Sequence, residues 1–269
     1  MVKTLCINGW YGRLGNNIIQ VRNALHIALY CGDYSGVVIP RHTYFNKCRI
    51  NIGDNICEDK NEEMQYGYDC NQFYNDDMVS YVKPECFSMN NETVRSILMD
   101  LFVIDYTKLT PLDENDLVMH IRSGDAIKYI HPQYVIPPLS YYTNVIESGK
   151  YNKIYIIAED KLNPCIDVLC SKYSNIVFKL SDLTKDIELV LRARNIMMTI
   201  GTFIPSLLWL TKYTSEVIYP CYDEFTRHMI PLNNMNMNMK LTKVVLAEYY
   251  KNVIKNESSE DRIKRMLIS

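Results

Sequence analysis

From residue 112 to about 230, short apolar runs alternate with amphipathic ones. No other feature constrains the fold as much. The runs at 117–122, 153–159, 176–180, 196–201 and 216–220 read as strands, and those at 139–148, 164–173, 184–194 and 205–214 as helices. Ser140 and Ser181 or Thr184 stand where N-caps belong, and Pro164 and Pro205 suit first helical turns. Such alternation implies right-handed crossovers and a parallel sheet, so this stretch reads as one Rossmann-like domain.

The first of these strands carries chemistry at its end. After Leu117-Val118-Met119 comes His120-Ile121-Arg122-Ser123-Gly124-Asp125. Open parallel sheets bind ligands at the carboxyl ends of their strands. An Arg there suits a phosphate, because its planar fork makes paired hydrogen bonds. Gly124 permits positive φ or close backbone approach. Asp125 can hold the guanidinium or meet a sugar hydroxyl. A strand-to-loop turn with a surface Arg–Asp pair accounts for the same hexapeptide.

Near the N-terminus, residues 3–7 read as a strand, and Ile18, Val21, Leu25, Ala28 and Leu29 recur at helical spacing. Between them lies Asn8-Gly9-Trp10-Tyr11-Gly12-Arg13-Leu14-Gly15-Asn16-Asn17. Strand, glycine-rich loop and helix together can offer backbone N–H groups to an anion. The glycine spacing matches neither a dinucleotide fingerprint nor a Walker A loop, and a tight turn explains it equally well. If the helix starts at Asn17, Asn16 is placed to cap it. A strand at 36–40 follows, residues 41–90 show little periodicity, and a capped helix is expected over 91–102.

Together these segments resemble the fucosyltransferase superfamily. The nearest likeness is to the α-1,2-fucosyltransferases, and a more distant one to the α-1,6- and protein O-fucosyltransferases. Gly12-Arg13-Leu14-Gly15-Asn16 precedes a helix, and His120-x-Arg122-x-Gly124-Asp125 follows in the second half. Asp186 opens a helix, and Gly201-Thr202-Phe203-Ile204 falls where the family has Ser-Ser-Phe-Ser. Pro138-Leu139-Ser140-Tyr141-Tyr142 and Ile156-Ile157-Ala158-Glu159-Asp160 stand at a helix start and a strand end of the family pattern. The sequence departs from that pattern in three places. The paired arginines are Arg122-Ser123, Gly-Asn-Gln is Gly15-Asn16-Asn17, and the third motif keeps only Thr202 of its serines.

The resemblance implies an α/β fold of two Rossmann-like domains facing a cleft, a GT-B-like arrangement. Residues 1–111 would form the acceptor side with the glycine-rich loop, 112–240 the donor side, and 241–269 a C-terminal helix and tail. It implies transfer of a sugar, fucose first, from a nucleotide-diphosphate sugar to a glycan hydroxyl with inversion. A GDP-sugar is favoured and a UDP-sugar is open; no cofactor is expected. Arg122 and Asp125 would serve the chemistry. Gly12, Arg13, Gly15, Asn16, His120, Arg122, Gly124, Glu159, Asp160, Thr202 and Phe203 would bind the donor. No residue is singled out as the base, and acids between Glu58 and Asp77 are further candidates. A xylosyl-, rhamnosyl- or galactosyltransferase on the same scaffold stays open, as does a non-catalytic glycan- or nucleotide-binding module.

Composition narrows the classes. A net charge of −2 over 269 residues gives no basic field for nucleic acid. No apolar run reaches the roughly 18 residues of a membrane span, and residues 1–8 turn polar too soon for a signal peptide. Nine cysteines, an odd number without Cys-x-x-Cys, then read as reduced thiols in a cytoplasmic chain. There is no Asp-x-Asp and no His-x-x-x-His, so cationic side chains and backbone N–H groups are expected in place of a metal. The Asn-Met run at 233–239 reads as a linker. Beyond it Leu241, Val244, Val245, Tyr249 and Val253 suggest a helical stripe, which either returns to the first domain or covers its own sheet. The last ten residues are charged and read as frayed.

Overall fold

A computed structural model describes residues 3–32, 34–53, 86, 89–128, 135–222, 238–251 and 258–268. They fall into two compact units. One takes its described residues from Met1–Thr107 and Pro205–Leu210, the other from Lys108–Ile204, Thr211–Met229 and Asn238–Ser269. The acids of residues 58–77, His131, His228, Val253 and positions 233–237 lie outside the described residues.

In the first unit, β1 (Lys3–Cys6) leads into α1 (Leu14–Cys31), and β2 (Tyr34–Val38) returns parallel to β1. β3 (Arg49–Asn51) adds antiparallel to β2. Gly36 lets β3 approach, since a Cβ there would lie 2.5 Å from the Ile50 carbonyl oxygen. The long helix α1 is buried on most of its surface, and the buried set includes the polar Asn17, Gln20, Arg22 and His26. It ends at Gly32, whose positive φ lets its N–H reach the Ala28 carbonyl. α2 (Asn91–Leu101) packs on α1. The cap expected for α2 is absent, for Asn90 sits in a left-handed conformation and makes no side-chain cap. Trp209, brought in by the Pro205–Leu210 segment, sets its ring 5.6 Å from His26 and under Arg22.

The second unit is built on six strands, all parallel, in the order β6-β5-β4-β7-β8-β9. These are β4 (Asp116–His120), β5 (Lys153–Ile157), β6 (Ile176–Phe178), β7 (Asn195–Met197), β8 (Glu216–Cys221) and β9 (Lys240–Val245). The crossovers carry α3 (Asp125–Lys128), α4 (Leu139–Glu147), α5 (Cys165–Lys172) and α6 (Leu183–Arg192), while α7 (Phe203–Leu207), which follows β7, passes at Pro205 into the residues of the first unit. β4 lies at the centre and is buried at all five positions. The α/β expectation, with a parallel sheet and helical crossovers, holds here.

Five local readings need correction. The chain over 240–245 is a strand, not part of a helix. A spacing of four, as from Leu241 to Val245, fits both periods, but Thr242, Val244 and Val245 are β-branched and prefer the pleat. Glu216 on β8 fixes the register by bonding Thr242 (2.7 Å) and pairing with Lys240 (3.0 Å). The charged tail is also ordered. Ser258 caps α9 (Ser259–Ile268) through the Asp261 N–H, and Met266 is fully buried. With α8 (Ala247–Lys251), it covers the second unit's own core. The helix expected at 205–214 stops at Leu207. Residues 204–210 are buried throughout and have no polar face for a longer surface helix. At α6, Asp182 rather than Ser181 or Thr184 caps, accepting from the Lys185 N–H (2.9 Å). At α4 the capping position is Pro138, with Ser140 already inside the helix.

Candidate active site

Strand order locates the first group of candidate residues. The chain leaves β4 toward β5 and β6 on one side, then crosses to β7, β8 and β9 on the other. The topological switch point therefore lies between β4 and β7, where an open parallel sheet leaves a crevice for ligands. Arg122 follows β4 there, and Thr199 to Phe203 follow β7.

The Arg122 guanidinium is held from one side and left open on others. Its Nη2 donates to Asp125 Oδ1 at 2.5 Å, while Nη1 lies 4.0 Å from Glu159 Oε2, beyond hydrogen-bond reach. Its Nε carries a buried N–H with no acceptor among the described residues. A buried guanidinium N–H without an acceptor is costly. The side chain is 20% exposed, so the cation is fixed in place and partly dry.

A second set of bonds fixes the turn beneath it. Asp160 Oδ1 accepts from the Ser123 hydroxyl, from Gly124 N–H (3.2 Å) and from Leu162 N–H (2.9 Å). Burial pushes the Asp160 pKa up, but these three bonds and the Lys128 charge outweigh it and hold the carboxyl below its usual range. Asn163, fully buried, donates Nδ2 to the Arg122 carbonyl (2.9 Å) and accepts at Oδ1 from Cys165 N–H (3.0 Å). Its own N–H donates to Ser123 Oγ (3.0 Å). Gly124 has φ +65°, and a Cβ on it would fall 2.4 Å from Glu159 Oε2. Ser123, only 1% exposed, is thus a buried brace of this turn.

His120 and Phe203 meet across the switch point, with ring centroids 5.7 Å apart. Thr199 Oγ1 accepts the Arg122 N–H and lies 3.1 Å from His120 Nδ1. Burial first, and the Arg122 charge second, push the His120 pKa down to about 3. His120 is neutral at ordinary pH, so it supplies no second cation. Tyr141 of α4 donates to the Met198 carbonyl at 2.7 Å and so holds the chain just past β7. Thr202 is partly exposed beside Phe203.

In the first unit, Gly12, Arg13, Gly15 and Asn16 come together at the start of α1. The helix begins at Leu14, earlier than expected, and Arg13 stands at its N-cap, where its side chain makes no capping hydrogen bond. Asn16 therefore lies in the first turn and is no cap. Its amide folds back so closely that a Cβ on Gly12 (φ +71°) would lie 2.0 Å from Nδ2. Asn17 and Gln20 hold the loop. Gln20 accepts from Tyr11 N–H (3.1 Å) and donates to the Gly9 carbonyl (3.2 Å), and Asn17 donates to the Tyr11 carbonyl (3.1 Å). Arg13 is exposed, and Gly15 is buried in the helix packing.

Sequence reasoning noted Ser123 and Asn17 only as departures from a motif, and it missed Asn163, Thr199 and Gln20. A signal existed for Asn163, since Asn-Pro before an apolar run favours turn initiation. For Thr199 and Gln20 there was none.

Among the described residues no group of three or more His, Cys, Asp or Glu is arranged to hold a metal ion. No helix among them is long and apolar enough to cross a membrane. A depression of about 460 Å³, lined by Pro138, Ser140 and residues 245–249, includes none of the candidate residues.

No protein-family model matches the sequence, and no curated protein matches it. Among solved structures, the chain is similar to the fucosyltransferase NodZ from Bradyrhizobium, with 8% identity and a TM-score of 0.45 over 78% of this chain and 94% of that one. It is similar to NodZ α-1,6-fucosyltransferase co-crystallized with GDP, with 9% identity and a TM-score of 0.45 over 78% and 93%. It is also similar to POFUT1 in complex with GDP-fucose, with 10% identity and a TM-score of 0.31 over 46% and 49%. The first two are fucosyltransferases, the group that the motifs of this chain resemble.

Proposed function

We propose that this chain is a glycosyltransferase that moves a sugar, fucose first, from a nucleotide-diphosphate sugar to a glycan hydroxyl. The reading includes inversion, no metal, a GDP-sugar donor and the two-domain, cleft-facing arrangement of the family that the motifs resemble. The observation that carries it is Arg122. This guanidinium stands at the β4–β7 switch point, fixed by Asp125, with a buried Nε–H that no described residue accepts.

Cleaving a nucleotide sugar leaves charge on the β-phosphate oxygens. An oriented guanidinium in a partly dry site stabilises that charge without reorganising during the reaction. Asp125 aims the cation. Glu159, Asp160 and Gly124 shape the floor on which the donor rests, and His120 at the end of β4 forms the wall with Thr202 and Phe203 past β7. Gly12, Arg13, Gly15 and Asn16 take part as donor contacts from the first unit. An acceptor hydroxyl attacks the anomeric carbon as the diphosphate leaves, with a carboxylate taking its proton.

Ser123 favours a second reading, the same transfer with another donor sugar or nucleotide. Where the family pattern has a second arginine, this chain buries a hydroxyl bonded to Asp160 and Asn163. The test is release of nucleoside diphosphate from a panel of GDP- and UDP-sugars with glycan acceptors. Acceptor-dependent release from GDP-fucose is the expected result. Release from another sugar nucleotide supports the second reading, and release from none refutes both.

A further inference from the structure

α3 is a single helical turn, and one turn does not sustain itself in water. Yet it carries Asp125, the carboxylate that fixes Arg122. Part of its support is apolar, since Ala126 and Ile127 are buried. The other part is polar. The last carbonyls of any helix lack intrahelical donors, and here the Ala126 carbonyl takes a hydrogen bond from Arg262 Nη1 at 2.9 Å. Arg262 belongs to α9 near the far end of the chain and is only 5% exposed. A cation at a helix C-terminus also opposes the negative end of the helix dipole. α9 is anchored in turn. Met266 is fully buried, Arg265 lies over the Tyr249 ring at 4.7 Å, and Tyr249 donates to the Ile136 carbonyl at 3.1 Å.

We propose that Arg262 is a positioning residue of the donor site. Through the Ala126 carbonyl it fixes α3, hence Asp125, hence the Arg122 guanidinium that receives the β-phosphate of a nucleoside diphosphate. The inference rests on the phosphate reading of Arg122. It assigns the C-terminal helix a part in donor binding that its charged sequence does not suggest.

The test titrates GDP, UDP and their monophosphates into the full chain and its variants. Arg262→Met lowers affinity for the diphosphate that the unaltered protein binds by about fivefold or more, with much less effect on the monophosphate. Arg262→Lys, which can still donate, recovers part of the loss. Combined with Asp125→Asn, Arg262→Met adds nothing further. Equal losses for both nucleotides, additive losses, or no loss in a folded variant overturn the proposal. If Arg262→Met does not fold, Arg262→Gln, too short to reach Ala126, takes its place under the same criteria. Normal diphosphate binding by Arg122→Ala, or none by the unaltered chain, refutes the phosphate reading and this inference with it. Loss on Arg122→Ala with none on Arg262→Met refutes the inference alone.

Discussion

At the scale of single residues, the site depends on polar atoms that bond the backbone. Asn163 satisfies the Arg122 carbonyl, the Cys165 N–H and Ser123 at once, and it is fully buried. Asn163→Ala leaves two buried backbone groups without partners, each worth roughly 1 kcal/mol or more. We expect a stability loss of about 2–3 kcal/mol in urea melts, together with weaker diphosphate binding in the folded fraction. A stability change near zero would mean that water or a shifted backbone replaces the amide. None of this was legible in the sequence. Asn163 bonds a residue 41 positions away and Thr199 one 77 positions away, and local patterns carry no record of such pairs. Arg122 was legible because a strand end is a local feature. Asn16 was misplaced because Gly12, by turning the chain early, starts α1 before the expected cap.

At the scale of elements, the apolar runs at 117–122, 153–159 and 216–220 located β4, β5 and β8 to within about two residues, because buried parallel strands read as continuous apolar segments. Failure came at the C-terminus, where two short elements borrow their stability from outside. β9 is fixed by Glu216, reached from β8, and α9 by a cap and two buried side chains. The Ser258-x-x-Asp261 spacing was a start signal, read instead as a charged tail. Ser258→Ala is expected to cost about 1 kcal/mol, seen as faster amide exchange within Ser259–Ile268 while β4 and β5 keep their protection. Unchanged exchange there would show that Arg262 and Met266 alone hold the helix.

At the scale of the whole molecule, each unit buries one histidine in the neutral state among the described residues. Burial, helped by Arg22, pushes His26 down to about 3, and burial, helped by Arg122, does the same to His120. A folded pKa below the unfolded value of 6.5 gives stability that is full above pH 6.5 and lost as pH falls toward 3. At about pH 5 each histidine costs roughly 2 kcal/mol. Stability should therefore decline below pH 6.5, before carboxylates such as Glu216 begin to titrate. Burial raises the Glu216 pKa, but Lys150, Thr242 and Lys240 bring it down to about 2, so its own window runs from 4.5 down to 2. Urea midpoints that stay level between about pH 7.5 and pH 5 would contradict the buried, neutral histidines. The order of the six strands was beyond the sequence, since alternation implies a parallel sheet but not which strands adjoin. That order is what turns Arg122 from a strand-end residue into one at a switch point. The most direct measurement is the dissociation constant for GDP, with UDP beside it, of the unaltered chain and of Arg122→Ala, each shown to be folded. Losing a charge-assisted bond worth about 1.5–3 kcal/mol predicts affinity weaker by roughly tenfold to a hundredfold. Equal affinity in a folded variant would contradict the assignment of Arg122 to the β-phosphate.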